Sequence, residues 1–321
     1  MINGSARYWW RTRDGETEPR STTSTGAPRT GRLHVVGILN VTPDSFSDGG
    51  RWDHVDAAVQ RGFALHAVGA DYVDVGGEST RPGAGRVPEH EELRRVEPVV
   101  RQLSDAGIRV SIDTTRSRVA EAALTAGAVA VNDISGGIAD PRMARVVADA
   151  GSGWIVVHGR GVSSTMNDLA HYDDVVTEVI AELIQRVEAA LAAGVAVEAL
   201  VADPGLGFAK HGEHNLRLLD QLDRICDEVA LPILVGASRK SFLGGVLADA
   251  RGVPRPVGLR EDATTAITAF AALSRAWGVR VHNVRASVDA ARTLNAITAA
   301  PRAAQPAPRS SRSVRVPSQG G

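Results

Sequence analysis

The chain holds a single cysteine, Cys226, among 321 residues. One thiol excludes an intrachain disulfide framework and a thiolate metal cluster, so a reducing cytoplasm is expected. On a predicted helix, Cys226 reads as a small core residue. Lysine is almost missing as well. Of 36 basic residues only Lys210 and Lys240 are lysines, which asks whether a compact ammonium is required at either place. No apolar run reaches the ~18 residues of a membrane span, and the N-terminus lacks a signal-peptide apolar core, so no membrane partner is expected. The formal net charge of −1 argues against a nucleic-acid partner. No Gly-x-Gly-x-x-Gly follows the first strand and no Walker loop occurs, which leaves dinucleotide and P-loop readings weak. No His-x-His pair or cysteine cluster speaks for zinc.

What is present is a repeating core between two polar ends. Residues 1–31 and 301–321 are rich in Ser, Thr, Arg, Gly and Pro and read as disordered tails. Residues 32–300 suit one large α/β domain. A helical pattern ends at or near glycine, a short Val/Ile-rich run follows, and a polar residue closes it. Gly69, Gly107, Gly127, Gly151, Gly194 and Gly278 mark this rhythm. Strands are expected near 34–39, 71–75, 109–112, 129–132, 154–157, 200–202, 232–236 and 279–283. Helices are expected near 54–68, 89–105, 116–126, 141–150, 172–193, 214–228, 261–276 and 286–299. Eight β/α units predict a (β/α)₈ TIM barrel, with a doubly wound open sheet as the alternative. In a barrel, function gathers at the C-terminal ends of the strands. Those ends carry Asn40, Asp74, Asp113, Asn132, His158, Asp203, Ser238 and His282.

Several of these positions point to chemistry. The apolar run Leu33–Leu39 stops at Asn40 and enters a loop, through Gly50, with small polar residues, two carboxylates and Phe46. Asp113, Asn132 and Asp203 together offer acceptors and an amide, which suits the adjacent N–H donors of a guanidine-like heterocycle edge. Asp203–Lys210 is a glycine-rich loop. Ser238-Arg239-Lys240-Ser241 precedes a helical pattern whose N-terminus would favour an anion. Arg280 and His282 alternate on the last strand and so share a face, which suits phosphate or diphosphate. Glu78–Gly83 follows the second strand as a second functional-looking loop. Glu78 and Asp74 are acid–base candidates without a paired His or Cys nucleophile. Oxygen ligands with water and phosphate oxygens would suit magnesium.

Taken together, Gly37–Gly50, Gly69–Gly83, Ser111–Thr114, Val131–Asp133, Asp203–Lys210, Gly236–Lys240 and Val279–His282 resemble the dihydropteroate synthase family, in family order across nearly the whole core. The resemblance implies a barrel that joins 7,8-dihydropterin-6-ylmethyl diphosphate to 4-aminobenzoate and releases diphosphate. It implies a pterin site of Asp113, Asn132, Asp203, Phe208 and Lys240. It implies a diphosphate site of Asn40, Arg280 and His282, with magnesium at Asn40. Phe46, Thr80, Arg81, Pro82 and Ser241 would frame 4-aminobenzoate, and Asp48, Arg81 and Lys240 would serve catalysis. A homodimer is implied too. The chain departs from the family pattern at Asn283, where Asp is usual, and at Val157, where Met is common. Two other readings remain open at this stage: a pterin-binding barrel of methyltetrahydrofolate-type methyl transfer, and a non-catalytic paralog.

Overall fold

The computed structural model describes residues 32–42, 51–79, 85–161 and 166–299. The eight strands are all parallel: β1 (His34–Asn40), β2 (Tyr72–Gly76), β3 (Val110–Asp113), β4 (Ala130–Asp133), β5 (Gly153–Val157), β6 (Leu200–Asp203), β7 (Leu234–Val235) and β8 (Gly278–Val281). Their order is β6-β5-β4-β3-β2-β1-β8-β7, and a parallel bridge between Ala202 and Ile233 brings β6 to the start of β7. The ring therefore closes as a TIM barrel, and the open-sheet alternative is set aside. The seventh strand is the shortest. The expected run 232–236 begins with Pro232, which has no N–H for the ladder, and only its carbonyl takes part, accepting from Ala202 N at 2.9 Å.

Ten helices surround the strands among the described residues: α1 (Arg51–Ala67), α2 (Glu89–Asp105), α3 (Ser117–Thr125), α4 (Met143–Ala150), α5 (Val175–Ala192), α6 (Gly212–Asp220), α7 (Leu222–Val229), α8 (Ser241–Val246), α9 (Glu261–Leu273) and α10 (Val284–Ala299). Helix α5 shows the local logic. Asp174 caps it by accepting from Val176 N at 3.1 Å, and Val175, Val176, Val179, Ile180 and Leu183 bury one stripe. The strands are buried along most of their length, as strands covered by helices on the outside and filled by side chains within must be.

Three expectations change. The pattern read as one helix over 214–228 is two, with Gln221 turned between them, so that Leu218, Leu219, Leu222 and Ile225 all reach the core. Gly278 is not a helix cap. It opens β8, where a side chain would press on the His34 carbonyl, and Arg275 instead takes the left-handed position after α9 at φ 61°. Asp74 lies in the middle of β2 rather than at its end, two residues deeper than Gly76. Cys226 is buried on α7, as read from the sequence. The tails 1–31 and 301–321 lie outside the described residues.

Candidate active site

The ladder register sets one level of the barrel mouth. Asn40 pairs with Gly76, Gly76 with Asp113, and Asp113 with Asn132. The last residue of β6, Asp203, pairs with Val157, the last of β5. Adjacent residues diverge as strand geometry demands. Asn132 reaches the barrel interior, while Asp133 turns the chain by accepting from Ser135 N and Gly137 N.

Beneath this level lies a buried charge cluster. Arg280 Nε donates to Asp74 Oδ2 and its Nη2 to Asp113 Oδ2, both at 2.6 Å. Asp74 is fully buried and also accepts from Ser111 Oγ at 2.5 Å and from Asn132 Nδ2 at 2.9 Å. Asp74 thus fixes Ser111, Asn132 and Arg280 at once. Its depth in β2 is what allows this, and the depth is set by the register Asp74↔Ser111, which the sequence alone does not print. Asp74 stands in the sequence only as an acid–base candidate; its role as organiser is a finding of the structure.

Two acceptors are left over. Asp113 Oδ1 and Asn132 Oδ1 are buried and have no hydrogen-bond partner within the protein. Buried acceptors normally find donors, so an unmade pair at one site calls for a ligand rich in N–H groups. Burial raises the Asp113 pKa to about 7, against the opposing pull of Arg280 and with the help of the Asp74 charge. One guanidinium cannot neutralise two buried carboxylates.

Asp203 and Lys240 meet from the other side. Asp203 Oδ1 accepts from Gly205 N at 2.7 Å, which folds the following loop back over the strand end. Gly205 is required there. It has φ 68°, and a Cβ would lie 1.7 Å from the His158 carbonyl oxygen. Lys240 Nζ binds the Leu206 carbonyl and sits 4.0 Å above the Phe208 ring. Burial lowers its pKa to about 8, while the charges of Asp203 and Asp113 oppose the fall. The turn that delivers Lys240 runs through Arg239 in a left-handed conformation at φ 59°, held by Arg260 Nη1 on the Arg239 carbonyl at 2.9 Å. Burial raises the Asp203 pKa, and the Lys240 charge opposes that rise.

At the rim, Asn40 is half-buried at the end of β1. His282 lies next to Ser238, with its Nδ1 2.9 Å from Ser238 Oγ and its own N–H donating to the same oxygen at 3.2 Å. Ser241 is exposed at the start of α8. A cavity of about 160 Å³ opens over the loops that follow β2 to β6, with Glu78, Asp113, Thr114, Ile134, Arg160 and Phe208 among its lining. Asp113 and Phe208 join it to Lys240. Contacts and charge thus link Asp113, Asn132, Asp203, Phe208, Lys240 and Arg280, and of these Asp113 and Phe208 line the cavity. Phe46, Asp48, Thr80, Arg81 and Pro82 lie outside the described residues. Of the two departures, Asn283 accepts from Ala286 N at 3.4 Å at the head of α10, a capping task that suits Asn and Asp alike. Val157 is a buried strand residue.

The hub makes a sharp expectation. Asp74→Ala would strand a buried guanidinium and the Asn132 amide, and should lower stability by about 3–5 kcal/mol in urea unfolding. A loss below about 1 kcal/mol would show that Arg280 and Asn132 are held without it.

Comparison with known proteins identifies the family. The model of the family "Pterin binding enzyme" matches residues 36–282. The chain is 56% identical over 265 residues to a dihydropteroate synthase of Mycobacterium leprae, covering 82% of this chain and 93% of that protein. It is 40% identical over 267 residues to a dihydropteroate synthase of Synechocystis sp., covering 83% of this chain and 90% of that protein. Among solved structures, Xanthomonas albilineans dihydropteroate synthase with 4-aminobenzoic acid superposes with a TM-score of 0.78 at 42% identity, covering 84% of this chain and 94% of that one. The same enzyme in complex with 7,8-dihydropteroate gives a TM-score of 0.75 at 39% identity, covering 86% and 98%. The chain belongs to the pterin-binding enzyme family, and within it to the dihydropteroate synthases.

Proposed function

We propose that the barrel mouth binds a 7,8-dihydropterin through Asp113, Asn132, Asp203 and Lys240 and transfers its 6-methylene group from diphosphate to 4-aminobenzoate. The observation that carries the residue assignment is the pair of unsatisfied buried acceptors, Asp113 Oδ1 and Asn132 Oδ1. A pterin's amino-pyrimidinone edge presents adjacent N–H donors, the chemistry these atoms lack. Lys240 donates to a ring acceptor, and Phe208 offers an apolar wall beneath its charge.

The reaction needs no protein nucleophile. The amine of 4-aminobenzoate attacks the methylene carbon, the carbon–oxygen bond to diphosphate breaks with its electron pair, and the amine loses a proton. The protein's share is alignment and charge stabilisation. Arg280, aimed by Asp74 and Asp113, has further N–H groups in its fork for a diphosphate oxygen. Ser238 orients the His282 ring through Nδ1 toward the same task. Asn40 fits magnesium. It offers a hard amide oxygen at the mouth, and diphosphate oxygens and water would complete the shell. Asn40 would hold the ion there, where it would neutralise charge on the departing diphosphate.

Two further properties follow from the same reading. Val257, Leu259, Phe270 and Leu273 on or just before α9 and Ile297 on α10 are exposed apolar side chains, and such groups suit contact with a second copy of the chain. A cytoplasmic location accords with the single buried thiol, and no described helix is long and apolar enough to cross a membrane.

The direct assay is diphosphate release. Release should require both 4-aminobenzoate and magnesium; release without the amine, or none, would favour another pterin chemistry or a non-catalytic role. Arg280→Ala should weaken pterin diphosphate by about 1.5–3 kcal/mol in calorimetry. Pterin alone should weaken less, through the lost partner of Asp113; equal losses would remove Arg280 from the diphosphate site. The pH dependence of kcat/KM for pterin diphosphate should be bell-shaped. Asp113 must lose its proton to accept, so the rate rises through about 7. Lys240 must keep its proton to donate, so the rate falls through about 8. A flat profile between about pH 6 and 9 would contradict both assignments.

A further inference from the structure

The second lysine of the chain has no place in the chemistry above, yet it is held as tightly as the first. Lys210 is buried, and three acceptors surround its Nζ: His158 Nδ1 at 2.8 Å, the Phe208 carbonyl at 3.0 Å and the Gly205 carbonyl at 3.1 Å. The protons can be assigned from geometry. His158 Nε2 lies 3.0 Å from Glu182 Oε2. A carboxylate oxygen only accepts, so Nε2 carries the hydrogen. Burial, with the Lys210 charge behind it, keeps the ring neutral, its pKa lowered to about 3. Nδ1 is then a lone pair, and the three acceptors around Lys210 Nζ match the three N–H groups of an ammonium one for one. Burial and the charge of Lys240 pull the Lys210 pKa well below the lysine range, and the Asp203 and Glu182 charges oppose them. Arginine could not replace it, since a planar fork cannot aim three N–H groups from one point.

The two carbonyls that Lys210 binds flank the one that Lys240 binds. Gly205 and Phe208 face Lys210, and Leu206 between them faces Lys240, whose ammonium also rests on the Phe208 ring. Both lysines of the chain therefore hold the same four-residue loop, each through different carbonyls. We infer that Lys210 is a positioning residue of the pterin subsite: backed by His158 and Glu182, it holds the Gly205–Phe208 loop so that Lys240 and Phe208 meet the heterocycle in one arrangement. This rests on the pterin reading of the site.

The test uses the full chain, with calorimetry of a dihydropterin and Michaelis constants for both substrates. Lys210→Met should weaken dihydropterin binding at least about tenfold and leave the Michaelis constant for the aminobenzoate substrate within about twofold of the parent. His158→Leu, which removes the Nδ1 acceptor, should act in the same direction. His158→Asn keeps an acceptor at that position and should restore dihydropterin affinity to within about threefold of the parent. The inference is overturned if Lys210→Met binds dihydropterin as the parent does. It is overturned as well if both substrates weaken in parallel with a falling Tm, or if Asn and Leu at position 158 behave alike. Should Lys210→Met fail to fold, the two His158 variants decide. A parent protein that binds no dihydropterin would overturn the pterin reading itself, and this inference with it.

Discussion

The guanidinium of Arg280 stands between two buried carboxylates, Asp74 and Asp113, and one positive charge cannot satisfy both. The other parts of the pocket are arranged around that imbalance. Asp74 is surrounded by donors from Ser111, Asn132 and Arg280, so the deficit falls on Asp113. Asp113 keeps one oxygen without a donor, and Asn132, its amide nitrogen already engaged by Asp74, keeps its oxygen likewise. A cluster left short of donors is expensive in a protein interior and makes sense where a donor-rich ligand completes it. The barrel supplies rigidity for this: each member sits on or next to a strand, and the ladder register holds Asp74 opposite Ser111 and Asp113 opposite Asn132.

The opposite wall works by a different principle. Where β3 and β4 place side chains directly, the loop after β6 places backbone. Asp203 folds it, Gly205 permits its close approach to the His158 carbonyl, Asn215 Oδ1 accepts from Gly207 N at 2.6 Å, and the two lysines bind its carbonyls. A chain that uses arginine for every other cation retains lysine at these two points. At Lys210 three acceptors converge on one atom, a geometry that a planar fork does not offer, and at Lys240 one compact ammonium meets the Leu206 carbonyl and the Phe208 ring.

Much of this was legible in the sequence, for identifiable reasons. Eight short apolar runs, six of them led by glycine, give the barrel, and the polar residues that close them give Asp113, Asn132, Asp203 and His282 near the mouth. Helix α2 was readable to the residue because three acidic side chains open it and its apolar spacing runs unbroken past Pro98. What the sequence withheld was depth and pairing. Asp74 looks like a strand end until the register puts it below Gly76, and Arg280 looks like a rim cation until two carboxylates claim it. The break at Gln221 carries no Gly or Pro to announce it. Such features arise from contacts between residues far apart in the chain, which periodicity does not record.

The most direct measurement of the central claim is a crystal structure of the chain with a bound dihydropterin. Donors of the heterocycle are expected on Asp113 Oδ1 and Asn132 Oδ1, with Asp203 and Lys240 on its other edge and Arg280 still fixed by Asp74. A dihydropterin seated elsewhere, with those two oxygens still without partners, would contradict it.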